Sequence, residues 1–109
     1  QVVQRMNPRN ADAWNLLSLV ELRAGNYPLS SQYWQHALSL GGRESDLFLN
    51  RARLESLKRN SVASLEFLEK AISIGFRDAD LLYSDRDLEF VRSQSGFNEL
   101  IQPLLAPAK

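Results

Sequence analysis

An internal repeat with a period of 34 residues constrains the fold of this chain more than any other feature of its sequence. When the chain is shifted by that period, many residues of the first copy fall on identical residues of the second. The identical pairs are Asp12 and Asp46, Glu21 and Glu55, Asn26 and Asn60, Ser30 and Ser64, Ala37 and Ala71, Ser39 and Ser73, Gly41 and Gly75, and Arg43 and Arg77. Self-similarity at this length predicts stacked structural units, each of which buries its apolar face against the next.

Each copy has the pattern of two amphipathic helices joined by a tight turn. In the first copy, apolar residues recur at helical spacing and predict a broad buried stripe, made of Trp14, Leu17 and Val20 with Leu16 and Leu19 beside them. Asn10 is a suitable N-cap residue, because its side chain can accept from a free N–H of the first turn. Gly25 can adopt the left-handed conformation that ends a helix. Two such helices joined by a few residues are expected to pack antiparallel.

The third copy loses the pattern soon after it starts, and we expect it to form short capping helices. Ser84 followed by Asp87 resembles a capping box, and Pro103 is expected to end the last helix. The predicted division of the chain is the end of a preceding helix at 1–10, repeats at 11–44 and 45–78, a degenerate third repeat with capping helices at 79–105, and a disordered tail at 106–109. Because the chain begins with Gln1, we interpret it as part of a longer protein.

The period and the helix-turn-helix unit resemble the tetratricopeptide repeat (TPR). The positions that carry the resemblance are Trp14, Leu17, Ser18, Trp34 and Ala37. The sequence departs from the family pattern at Glu21 and Glu55, where an aromatic residue is usual. The resemblance implies an all-α fold in which antiparallel helix-turn-helix repeats stack as a short right-handed α-solenoid with a C-terminal helical cap. The segment 79–105 is similar to the closing segment of bacterial repeat arrays, which favours a bacterial protein of the cytoplasm or periplasm.

The composition argues against several classes of function. The chain has 13 basic and 13 acidic residues, and this balance disfavours a nucleic-acid footprint or a membrane-binding stripe. No apolar run approaches the length of a membrane-spanning helix, so we expect a soluble domain without direct membrane insertion. There is no cysteine, which excludes disulfides and thiolate chemistry.

The residues that could carry catalysis or bind a metal have simpler structural interpretations. His36 is the only histidine, and it aligns with Lys70 at a surface position. A metal site needs several clustered ligands, which this sequence does not group together. Asp85 and Asp87 are two residues apart and would not face each other on a helix, so helix capping explains them better. We therefore predict no enzymatic activity and no cofactor.

The densest basic cluster allows two interpretations, phosphate binding or a solvated face with local ion pairs. Nearby Glu44 and Glu55 offset the charge and favour ion pairs. The residues of this cluster are Arg51, Arg53, Lys58 and Arg59.

The resemblance also implies a partner-binding surface, because the first helix of each TPR hairpin lines the inner face of the array. The residues expected to be exposed there are Asp12, Asn15, Leu19, Leu22 and Arg23 from the first repeat, Asp46, Leu49, Asn50, Arg53 and Leu57 from the second, and Tyr83 near the end. Solvated helix faces rarely hold so many leucines. These leucines either form a binding groove or lie under a neighbouring segment, and the sequence leaves both possibilities open.

The sequence thus suggests a non-catalytic protein-interaction module that binds a peptide or a helix of a partner protein on its concave face. The alternative is a self-assembly module that oligomerises through exposed ends of the array. Val2, Val3 and Met6 could form such an apolar end and pair two copies into a homodimer.

Overall fold

The computed structural model describes residues 10–105, and every regular element in this range is helical. In chain order the elements are α1 (Ala11–Arg23), α2 (Tyr27–Ser39), α3 (Glu44–Leu57), α4 (Ser61–Ser73), α5 (Ala79–Ser84), a 3-10 helix (Arg86–Leu88), α6 (Glu89–Arg92) and α7 (Phe97–Leu105). The prediction of an all-α chain is confirmed. The predicted end of a preceding helix at 1–9, with the homodimer face of Val2, Val3 and Met6, and the predicted tail at 106–109 lie outside the described residues.

The ends of the long helices follow local signals in the sequence. The Asn10 side chain accepts from two backbone N–H groups of the first turn of α1, at 3.0 and 3.4 Å. The Asn60 side chain caps α4 in the same way, at 3.2 Å. After α1, Gly25 has a φ of 87°, where glycine avoids the strain that a side chain would add. Arg59 takes the equivalent position of the second hairpin with a φ of 62°.

The two hairpins repeat the same internal contacts. The Ser30 hydroxyl donates to the backbone carbonyl of Ser18 at 2.8 Å, and the Ser64 hydroxyl donates to the carbonyl of Ala52 at 2.8 Å. These pairs are related by the period of the repeat. Because Trp14 contacts residues later in α2 than Ser18 does, α1 and α2 run antiparallel. The small serine side chains let the paired helices approach closely while their hydroxyls stay hydrogen-bonded.

The contact between the two hairpins is centred on Trp34, which is 4% exposed. Its Nε1–H donates to the backbone carbonyl of Leu47 at 2.6 Å, which joins α2 to α3. The guanidinium of Arg51 lies 4.9 Å from the centre of the Trp34 ring and pairs with Glu55 at 3.1 Å. A buried aromatic anchor with its polar atom satisfied fixes the first hairpin against the second.

The short C-terminal elements pack on α3 and α4 and form a larger apolar core. The buried members of this core are Leu49, Ala52, Leu68, Leu82, Leu88, Val91, Phe97 and Ile101. A hydrogen bond from the Val91 N–H to the Ser56 hydroxyl, at 3.2 Å, ties α6 to α3. Leu88 and Val91 are both fully buried in this core.

The predicted buried stripe of α1 is wrong in detail. Val20 is 52% exposed, whereas Ser18 and Leu22 are each 1% exposed. The serine pairing with α2 turns the Ser18 side of α1 inward and leaves Val20 outside. The hydrophobic pattern of the sequence could not predict this orientation of α1, because the residue at its closest contact with α2 is a serine, which is not apolar.

Two predicted helix boundaries in the C-terminal segment are also wrong. The capping residue there is Asp85 rather than Ser84, and its side chain accepts from the Asp87 N–H at 2.9 Å. Pro103 lies inside α7, which continues to Leu105. The last turn of α7 stays helical because Leu104 packs against the C-terminal core.

Candidate functional site

An open groove of about 360 Å³ lies along α1 and α3, which are the first helices of the two hairpins. Phe76, from the end of the second copy, and Leu81, from the start of the third, complete its wall. We call this the inner groove. The remaining lining residues are Asp12, Asn15, Leu16, Leu19, Asp46, Leu49, Asn50 and Arg53. The predicted residues that it brings together are Asp12, Asn15, Leu19, Asp46, Leu49, Asn50 and Arg53.

Leu16 is the exposed apolar residue of the inner groove, although the sequence placed it in the buried stripe of α1 and not among the inner-face residues. Its exposed fraction is 54%, and Leu19, three residues later, is half-buried beside it. A spacing of four residues from Asp12 to Leu16 and three to Leu19 places them on one helix face. That spacing could have identified Leu16 as an inner-groove residue, but Leu16 was assigned to the apolar stripe that contains Trp14 and Val20.

Three residues expected to be exposed on the inner face are buried, so the prediction is wrong for them. Leu22, Leu49 and Asn50 are 1%, 4% and 3% exposed. Leu49 packs with Leu82 and Leu88 of the C-terminal segment, which covers this part of α3. For Leu49, the alternative that a leucine lies under a neighbouring segment is therefore correct.

Leu57 and Tyr83 lie away from the inner groove. Leu57 lines a separate depression together with Phe90 at the end of α3. Tyr83 is 44% exposed, and its ring meets the ring of Phe97 edge-on with centroids 5.9 Å apart. Contrary to the prediction, these two residues therefore do not share the inner groove with Asp12 and Asn15.

A chain of polar contacts crosses the base of the inner groove. The Asn50 side-chain NH₂ donates to the backbone carbonyl and to the side-chain oxygen of Asn15, both at 2.9 Å. The Asn50 side-chain oxygen accepts from Arg53 at 3.3 Å, and Arg53 Nε donates to the Asp85 carboxylate at 2.6 Å. These side chains hold α1, α3 and the C-terminal segment in register, so Asn50 and Arg53 are occupied within the chain.

A second ion pair connects the C-terminal segment to α1. Arg23 Nε lies 2.8 Å from the Asp87 carboxylate. Arg92 donates to the backbone carbonyls of Asp85 and Leu82 at 2.6 and 3.0 Å. Capping alone therefore does not account for Asp85 and Asp87. Both carboxylates are buried and pair with arginines on α3 and α1.

The charges left at the rim of the inner groove are acidic. Asp12 is exposed and forms no ion pair within residues 10–105. Asp46 lies 3.9 Å from Arg43, but both side chains are more than half exposed, so water screens this pair strongly. The groove therefore combines an apolar strip with two carboxylates at its edge.

The remaining candidates for chemistry are spread over other surfaces. His36 is exposed on α2, and its ring meets the ring of Trp14 with centroids 4.5 Å apart. Arg51 pairs with Glu55, and Arg59 stacks over Phe90 at 5.0 Å, so the basic cluster divides among different contacts. Within the described residues, no three His, Cys, Asp or Glu side chains are grouped as metal ligands would be.

No family model, no curated protein and no solved structure matches this chain. The proposed function therefore rests on the structure of the chain itself. Among the helices between residues 10 and 105, none combines the length and the apolar character needed to cross a bilayer.

Proposed function

We propose that this chain is a non-catalytic protein-interaction module of the TPR type, which binds a peptide or helix of a partner protein in the inner groove. One observation carries the proposal: the packing of α1 beside α3 leaves Leu16 in a groove with 54% of its surface exposed. Leu19 lies next to it, and Asp12 and Asp46 stand at the rim. Exposed apolar side chains with a polar border are typical of surfaces that bind another chain.

The repeated internal contacts support a solenoid arrangement of the hairpins. The Ser30 and Ser64 hydrogen bonds have the same length and connect equivalent positions. The turns agree as well, since Gly41 and Gly75 both take positive φ values, of 76° and 125°, at the ends of the second helices. Units with equal internal geometry stack by the same operation, and this would place the first helices along a common concave face.

The groove also favours one chemistry of partner. Apolar side chains would contact Leu16 and Leu19, and a lysine or arginine would approach Asp12 or Asp46. Arg53 and Asn50 are engaged inside the chain, so they are not free to grip a terminal carboxylate. A short amphipathic segment with basic residues at its edge therefore fits this surface better than an acidic one.

The test is a displayed library of random peptides, selected on the full chain and followed by fluorescence anisotropy with the selected peptides. Leu16→Asp should weaken their binding by at least about tenfold, because burying a leucine contributes about 1.5–3 kcal/mol. Val20→Asp is the matched control, since Val20 is 52% exposed on the same helix and lies outside the inner groove.

Circular dichroism should show the same helical signal for both variants. A selection in which every peptide binds Leu16→Asp as tightly as the unchanged chain would contradict the proposal. A molecular mass that rises with concentration, measured by light scattering without peptide, would instead favour the self-assembly alternative.

A further inference from the structure

A second and larger groove lies on another face of the molecule, between α4 and α7. Its volume is about 640 Å³, and it shares no lining residue with the inner groove. We call it the α4–α7 groove. The residues that line it are Val62, Leu65, Glu66, Glu69, Ile72, Ser73, Gly96, Glu99, Leu100 and Pro103.

The apolar floor of this groove follows from the way the two helices face the core. On α4, Leu68 turns inward and is fully buried, which directs Leu65 and Ile72 to the edge of the core. On α7, Ile101 turns inward, and Leu100 is left half-buried beside it. Val62 is 67% exposed at the start of α4 and extends the apolar strip.

All charged residues that line the α4–α7 groove are acidic. Glu66 and Glu69 lie on α4, and Glu99 lies on α7, so carboxylates lie on both sides of the groove. All three are exposed, and none forms an ion pair in the part of the chain that the structure describes. Lys70 is adjacent in sequence, but its ammonium group lies over the rings of Phe48 and Phe67, at 5.7 and 5.3 Å.

We infer that the α4–α7 groove is a second docking site, which binds an amphipathic segment of a partner protein carrying lysine or arginine. Apolar side chains of that segment would contact Leu65, Leu100 and Val62. Its basic side chains would form ion pairs with the carboxylates on both sides of the groove. Charge complementarity selects this occupant, because an acidic segment would face three carboxylates that no cation within residues 10–105 neutralises.

The inference is independent of the inner groove, and its test keeps the two sites apart. The random peptide library is selected on the full chain carrying Leu16→Asp, which disables the inner groove. We expect the selected peptides to be enriched in lysine and arginine beside apolar residues. Their affinity for the chain is then measured by fluorescence anisotropy at low and at high salt.

The decisive variant replaces the three carboxylates with neutral residues of the same size: Glu66→Gln, Glu69→Gln and Glu99→Gln together. Because the three side chains are exposed, this variant should stay folded, which circular dichroism checks. Peptide affinity at low salt should fall by at least about tenfold, and the salt dependence should become flatter. The matched control, Asp12→Asn with Asp46→Asn, removes carboxylates from the inner groove and should leave affinity unchanged.

Several outcomes would overturn the inference. They are a selection that yields no peptide, peptides without basic residues, an affinity unchanged by the glutamine variant, and an affinity lowered equally by the asparagine control. Concentration-dependent dimerisation that the glutamine variant abolishes would assign the groove to a second copy of this chain. That result would overturn the inference of a separate partner.

Discussion

The ion pair between Arg53 and Asp85 attaches the C-terminal segment to α3, and we predict that Arg53→Met will destabilise the chain strongly. Arg53 Nε lies 2.6 Å from the Asp85 carboxylate, and the two side chains are 12% and 4% exposed. Methionine keeps an unbranched apolar stem in place of the arginine side chain, so the substitution mainly removes the charge. The Asp85 carboxylate would stay buried without its cation.

The expected loss follows from this burial. Removing one partner of a buried ion pair costs about 3–5 kcal/mol, because the remaining charge is neither solvated nor paired. The Asp85 carboxylate would still accept from the Asp87 N–H at 2.9 Å, which places the expected cost near the lower end of that range. A domain is stable by only about 5–15 kcal/mol, so this single change would remove a large share of the free energy of unfolding.

The pair between Arg23 and Asp87 offers a matched comparison. Its distance is similar, at 2.8 Å, but the Arg23 side chain is 53% exposed. Water can replace much of what that guanidinium contributes, so Arg23→Met should cost only about 1 kcal/mol.

Urea unfolding of the full chain, followed by circular dichroism, measures both losses. A double-mutant cycle of Arg53→Met with Asp85→Asn should give a coupling energy within about 0.5–3 kcal/mol, because the asparagine keeps the cap but removes the charge. Equal losses for Arg53→Met and Arg23→Met, or no measurable coupling in the cycle, would refute the reasoning.

Three further substitutions test the packing of the hairpins by thermal or urea unfolding. Trp34→Phe should cost about 1–3 kcal/mol, because the bond from Trp34 Nε1 to the Leu47 carbonyl, at 2.6 Å, is lost within the core; an unchanged midpoint would contradict the role of that bond. Ala37→Leu should cost about 1–3 kcal/mol, because Ala37 is fully buried and a larger side chain overpacks the site. Gly41→Ala should cost about 1–2 kcal/mol through its φ of 76° alone, since an added Cβ would meet no atom within 4 Å; a neutral result would show that the turn can relax.

Features encoded by neighbouring residues could be predicted from the sequence. The two helices predicted for the second copy occur at Glu44–Leu57 and Ser61–Ser73. The cap at Asn10 was predicted as well, because a capping side chain bonds to N–H groups two or three residues away. Seven of the predicted inner-face residues line one groove, since helical spacing and the repeat register together assign them to one side.

The exposure of individual leucines could not be predicted in this way. Leu16 and Leu49 are both apolar residues on first helices, yet one is 54% exposed and the other 4%. The difference depends on where the C-terminal segment packs, and no periodic pattern records that. The α4–α7 groove could not be predicted either, because the two helices that line it are far apart in the sequence.

By itself, the sequence determined the helical character of the chain and the pairing of helices within each repeat, because caps, turns and apolar spacing act over a few residues. Only the tertiary structure decided that Asp85 and Asp87 pair with Arg53 and Arg23, which ties the segment between α5 and α6 to α3 and α1. The physical reason is that a carboxylate and a guanidinium attract each other through space. When such partners are distant in the chain, folding alone determines which ones meet.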